Sequence, residues 1–155
     1  LRISYSTLSN NAGGGLVEGI FVVDPEGFRR RAVPCVSPAT ASLHASILAG
    51  NPHSECPGPL RSRGYNLFDT SLSGCLIDPG QGDTTVDAAT VFSQVLGPLQ
   101  DNGGHTFTHA LLPDRANPAL HAGDPVRCGG TDQRGVARPQ GAGCDIGAFE
   151  LEVVP

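Results

Sequence analysis

The sequence predicts an all-β chain of short strands punctuated by turns, and three observations carry that expectation. The 155 residues include 21 glycines and 13 prolines, which leaves little room for long helices. Charged residues make up only 16%, while Val, Ile, Leu and Phe recur in clusters, a balance that favours a packed chain over disorder. The segment LRISYSTLSNN, residues 1–11, aligns with ASLHASILAGN, residues 41–51, so that Ile3 falls opposite Leu43, Thr7 opposite Ile47, Leu8 opposite Leu48 and Asn11 opposite Asn51.

Such a unit suits a coiled parallel β solenoid, in which each turn contributes short strands that stack on the next at roughly 4.8 Å and alternate apolar residues form continuous internal columns. Asparagine fits the corners of such a coil because its side chain tolerates left-handed backbone and can bond to a stacked neighbour. Asn11, Asn51 and Asn66 are the expected members of an asparagine ladder. The alternative is an antiparallel sandwich in which they are ordinary turn residues. Between the two copies, residues 13–40 are too long for a simple turn: GIFVV (19–23) has strand character, DPEG (24–27) is a turn, and residues 28–38 are expected to bulge as a loop.

The charge pattern narrows the partners. All ten basic residues are arginines and the net charge is -5, which disfavours nucleic acid and anionic membrane. Arg29, Arg30 and Arg31 form a short basic run best explained as a solvated loop. No stretch approaches the roughly 18 apolar residues of a membrane-spanning helix. The first residues, starting in mid-pattern without Met, are expected to continue a longer exported protein whose signal peptide lies upstream.

The five cysteines lack the spacing of a zinc site. Local pairing of Cys56 with Cys75 and of Cys128 with Cys144 closes loops of about 15 to 20 residues, each worth on the order of 3 kcal/mol. Disulfides imply an oxidising compartment. Cys35 is then left to pair upstream or to stay buried as a small hydrophobe.

Four pieces in order carry a resemblance to a known family: SILAGN (46–51) followed by Cys56; GYNL (64–67) followed by Cys75; LGPLQDNGG (96–104) with THALLP (108–113); and AGD (122–124) leading into DQRGVARPQ (132–140) and CDIGAFE (144–150). In these the chain resembles the C-terminal part of bacterial secreted right-handed parallel β-helix proteins of the choice-of-anchor Q group. It departs from the family pattern at residues 88–94, AATVFSQ, at His105 where the family has Pro, and at His121 where it has an acidic residue. The resemblance implies terminal β-helix coils over residues 1–95, with a long inserted loop around 13–40, and a disulfide-stapled, loop-rich capping region of the same domain over 96–155. It also implies export, with the mature protein at the cell surface or outside the cell.

An open solenoid end needs a cover. Leu96, Leu99, Phe107, Leu111, Leu112, Ile146 and Phe149 are available to plug it, and Pro98, Pro113, Pro118 and Pro139 are expected to keep the backbone from continuing the ladder. Asp132, Arg134, Arg138, Asp145 and Phe149 make up the cap motif, whose arginines are expected to tether the loop to carbonyls or carboxylates.

Catalytic signatures are weak by comparison. Asp78, Asp83 and Asp87 form the densest acidic cluster and have the oxygen chemistry of a calcium site, but their spacing matches no calcium loop, and a solvated acidic loop is the expected outcome. His44, His53, His105, His109 and His121 lack a nucleophile or metal partner and are expected to be surface or capping residues, with His105 and His109 on one side of a strand. No catalytic residue and no cofactor is assigned. The sequence therefore points to a monomeric, noncatalytic structural or adhesive module that displays loops to polysaccharides or cell-surface glycans. The alternative is the C-terminal portion of a polysaccharide lyase or glycoside hydrolase whose active site lies in upstream coils.

Overall fold

The computed structural model describes residues 2–9, 41–51, 60–74 and 77–152. The expected features at Asn11, residues 13–40, Cys35, His53 and Cys56–Cys75 lie outside them. Among the described residues eight short strands come first, in four pairs: β1 (Arg2–Ser4) and β2 (Thr7–Leu8), β3 (Ala41–His44) and β4 (Ile47–Leu48), β5 (Leu60–Ser62) and β6 (Leu67–Asp69), β7 (Ile77–Asp78) and β8 (Thr84–Val86). Each pair is one tier. The first member of every tier joins a parallel sheet in the order β1-β3-β5-β7, and the second joins another in the order β2-β4-β6-β8.

The register read from the sequence repeat is the observed one: Ile3 pairs with Leu43, Thr7 with Ile47 and Leu8 with Leu48. The next tier adds a residue. Its offset from the tier before is 19 at Leu60, opposite Ala41, and 20 at Leu67, opposite Ile47, so one extra residue sits at its corner.

Each corner is built the same way. Tyr5, Ala45, Tyr65 and Gly82 all take positive φ, of 48°, 47°, 58° and 73°. The amide nitrogens of the first three donate to the carbonyls of His44, Gly64 and Gln81 in the following tier. Left-handed backbone is unfavourable for a side chain such as tyrosine, so the stacked neighbours must hold it. The residue after each corner supplies that hold: Ser6 N donates to Ser46 Oγ at 3.2 Å, Ser46 N to Asn66 Oδ1 at 3.0 Å, and Asn66 N to Asp83 Oδ1 at 2.9 Å. Asn66 stands in a polar column, and its neighbours there are Ser46 and Asp83 rather than asparagines. Asn51 stands elsewhere, its Nδ2 donating to Leu8 O at 3.2 Å.

Adjacent strand residues point to opposite faces. Leu48 and Phe68 face inward with Leu43, Leu60 and Leu72, in a cluster that Leu8 joins. Ile47, Ala49, Leu67 and Val86 belong to a second cluster on the opposite, outer face of the second sheet. Each fully buried Leu or Ile contributes roughly 1.5–3 kcal/mol.

Residues 88–152 cover that outer face. Asp87 caps a 3-10 turn (Ala88–Thr90), and a single π turn (Val91–Val95) leads into β9 (Leu96–Gln100), which pairs antiparallel with β10 (Thr108–Leu111) through a bulge. Pro98 lies within β9, which pairs with β10 and joins neither parallel sheet; a two-stranded hairpin leaves the proline an unpaired edge. Val91, Val95, Leu96, Leu111, Ile146 and Phe149 pack on the second sheet. Leu99 and Phe107, expected to help plug the stack, are 57% and 63% exposed. The covering region thus lies along the flank of all four tiers.

Candidate functional site in the C-terminal motif

Beyond β10 the described chain has no further strand, so its buried amides and carbonyls need partners other than a ladder. Carboxylates supply them. Asp132 Oδ1 accepts from the amides of Arg134 (2.8 Å) and Val136 (3.0 Å), and its Oδ2 from the amide of Glu150 at 3.0 Å and from Arg134 Nε at 2.9 Å. Asp145 accepts from the amides of His121 and Leu151 at 2.8 and 2.7 Å. Glu150 accepts from the amides of Gln140 and Asp145, both at 2.9 Å.

The two arginines of the motif bind these acids together. Arg138 Nη1 donates to Glu150 Oε2 at 2.8 Å and to Asp145 O at 2.9 Å, while its Nη2 reaches Gly147 O at 2.7 Å. Both side chains of that ion pair are almost fully buried, at 2% and 1% exposed. The Arg134 guanidinium carbon sits over the Phe149 ring, 3.6 Å from its centroid, and Nη2 donates to Glu150 O at 2.6 Å. A planar fork with five donors suits this task; a lysine would satisfy one or two of these contacts.

All five expected motif residues, Asp132, Arg134, Arg138, Asp145 and Phe149, are brought together. The sequence reading missed Glu150, although it ends the CDIGAFE run and lies two residues before another acid, Glu152. Burial pushes the Glu150 carboxyl above its ordinary value, helped by nearby Asp145 and opposed by the amides of Asp145 and Gln140 and by Arg138. Burial acts the same way on Asp132, but the amides of Glu150 and Val136 and the Arg134 guanidinium overcome it and hold the carboxyl below its ordinary value.

The disulfide Cys128–Cys144, with Cα atoms 5.5 Å apart, joins the start of this motif to its buried end. From Cys144 the chain runs straight into the tiers. Gly147 N donates to Ala45 O at 3.0 Å, and Ala148 N to Thr7 Oγ1 at 3.2 Å. Gly147 has φ of 99°, and a side chain there would meet Thr7 Oγ1 at 2.8 Å and Ile47 Cδ1 at 2.9 Å, so only glycine fits.

A second constellation joins the same region to the first sheet. His44 Nε2 lies 2.9 Å from Asp124 Oδ2, both side chains being under a tenth exposed. Tyr5 and Tyr65, from the tiers on either side, present edge contacts to the His44 ring at 5.9 and 6.4 Å. Tyr5 Oη donates to Arg127 O at 3.1 Å. Burial raises the Asp124 carboxyl, and hydrogen bonds from Val126 N, His44 and Arg127 N more than offset this, leaving it below its ordinary value. Burial first, and then the Asp124 charge, raise the Tyr5 phenol. His44, expected at the surface or in the cap, is a buried tether to the C-terminal region because its partner lies 80 residues away.

The other candidates separate. Asp78 is exposed on β7, Asp83 accepts from Gly80 N at 2.6 Å and from Asn66 Nδ2 at 3.1 Å, and Asp87 accepts from Ala89 N at 2.9 Å. Among the described residues no group of three or more His, Cys, Asp or Glu is placed to hold a metal ion. His105 precedes β10 and His109 lies within it, against Gly97 O at 2.7 Å, so the two do not share a strand. His121 is exposed, with Nδ1 3.7 Å from Asp145 Oδ1. Among the described residues no helix is long and apolar enough to cross a membrane. Comparison of the chain with family models, with curated proteins and with solved structures finds no match.

Proposed function

We propose that this chain is a noncatalytic structural and adhesive module: terminal coils of an exported right-handed parallel β-helix, with a C-terminal region that braces them and leaves their loops free to meet glycans. The observation that carries the reading is the engagement of the carboxylates in the C-terminal motif. Its carboxylates each accept from two or more main-chain amides or arginine donors, so they are committed to holding backbone and are poorly placed to move protons on a substrate. Alternation of strands between two parallel sheets with a repeated corner supports the coil. The Cys128–Cys144 bond supports export to an oxidising compartment.

Incubating the protein with a panel of acidic and neutral polysaccharides tests the reading. Retention of glycan without new reducing ends or unsaturated uronates is expected. Turnover that disappears on changing one acidic or basic residue would sink it in favour of a lyase or hydrolase.

A further inference from the structure

We infer that the outer face of the first parallel sheet is a docking strip for a polyanionic glycan, one bearing uronate or sulfate groups. The inference rests on the display reading above and assigns it a face and a ligand class. Among the described residues five arginines are exposed: Arg2, Arg61, Arg63, Arg115 and Arg127. Four of them gather at this one face, in a chain whose net charge is -5.

The register places them. Arg2, Ser42, Arg61 and Asp78 are partners in successive tiers and so project from the same side of the sheet. Leu43 and Leu60, the neighbours of Ser42 and Arg61 along the strands, belong to the inner cluster, so this column faces outward. Arg63 follows two residues after Arg61, and its amide still donates to Leu43 O at 2.8 Å, in continuation of the ladder. Arg127 arrives from the C-terminal region, fixed beside Tyr5 by the phenol's bond to its carbonyl. Its side chain is 66% exposed, and among the described residues the acid it pairs with is Asp124 at 3.9 Å, which His44 already engages.

The second tier of this face is closed over, with Ser42 buried and His44 held by Asp124, so the strip is made of the exposed arginines that flank that tier. Arg2 and Arg61 stand two tiers apart, roughly 10 Å at the usual strand spacing. That separation suits anionic groups repeated along an extended chain, each taken by one guanidinium fork. Tyr5 and Tyr65, half-buried at the adjoining corner, supply ring surface beside the charges. Asp78 ends the strip at the fourth tier, which limits the footprint to the first three.

Dextran sulfate, alginate, neutral dextran and a DNA duplex distinguish the possibilities when titrated calorimetrically into the intact chain at physiological salt, with melting curves confirming that each variant folds. Dextran sulfate and alginate are expected to bind and dextran not to. Arg61→Ala weakens them on the order of tenfold, the triple change Arg2→Ala, Arg61→Ala, Arg63→Ala by far more, Arg61→Glu more than Arg61→Ala, and Arg115→Ala leaves binding unchanged. An equal loss from Arg115→Ala, or duplex binding as tight as that of dextran sulfate, overturns the inference by reducing the strip to nonspecific charge. Binding of dextran that survives every arginine change overturns it while leaving the display reading intact. No binding to any polysaccharide overturns both, and new reducing ends in the same samples overturn the noncatalytic reading alone.

Discussion

The stacked tiers and the C-terminal region solve one problem in two ways. Both must satisfy buried backbone groups, since an orphaned amide or carbonyl costs about 1–3 kcal/mol. The tiers do it by repetition: each strand offers its amides to the next, and each corner repeats the bond from main-chain N to a side-chain oxygen through Ser46, Asn66 and Asp83. Among the described residues the C-terminal region has no strand ladder after Leu111 and uses carboxylates as substitutes, with Asp132 alone holding three amides. Repetition spreads the stabilising effect over many interchangeable contacts. The carboxylate hubs concentrate it in a few side chains that cannot be exchanged.

Single substitutions should expose that difference. The largest effect is expected at Arg138→Ala, which leaves Glu150 buried without its cation and frees the carbonyls of Asp145 and Gly147; a loss of about 3–5 kcal/mol should appear as a lowered denaturant midpoint. Reduction of Cys128–Cys144 comes next, at about 3 kcal/mol for a loop of this length, measured by comparing melting with and without reductant in Cys128→Ser and wild-type protein. Asn66→Ala removes one rung and leaves Ser46 N without its acceptor, and about 1–3 kcal/mol is expected because the ladder bonds on either side remain. If Asn66→Ala proved as damaging as Arg138→Ala, the contrast between spread and concentrated stabilisation would fail.

Acid titration gives the smallest and most diagnostic effect. The Glu150 carboxyl is raised above its ordinary 4.5, so this group adds stability as pH falls through its folded value, an effect fully present below 4.5. Asp124 and Asp132 are lowered below 3.8, so their contribution is present above 3.8 and is lost as pH falls through their folded values. Denaturation midpoints should therefore rise slightly on acidification toward 4.5 and drop only below 3.8. Glu150→Gln should abolish the rise and keep the drop.

How far the sequence could be followed depended on whether a feature repeats. The pairing of residues 2–8 with 42–48 is legible because Ile3, Thr7 and Leu8 fall opposite Leu43, Ile47 and Leu48 at one constant offset. The third tier was not, because its extra corner residue shifts the offset and breaks the alignment. The column neighbours of Asn66 are Ser46 and Asp83, which a periodicity of asparagines cannot reveal. Within the C-terminal region the motif residues were legible as a group, whereas Glu150 and the His44–Asp124 contact depend on separations of up to 80 residues that no local pattern records. Leu99 and Phe107 look like core residues in sequence, and only the orientation of the hairpin turns them to solvent.

The bond from Ala148 N to Thr7 Oγ1 spans 141 residues and imposes an order on biosynthesis. At about 5–20 residues per second, a ribosome or translocon would deliver the brace some 7–30 s after the strand it meets. Once Ile47 and Leu67 have been made, their apolar flank lacks its cover for the rest of that interval, so a nascent chain would present a sticky surface until Ile146 and Phe149 emerge. A protein assembled in this way has reason to keep its closing element in one short block, and to lock it with a disulfide whose second cysteine, Cys144, stands two residues before Ile146.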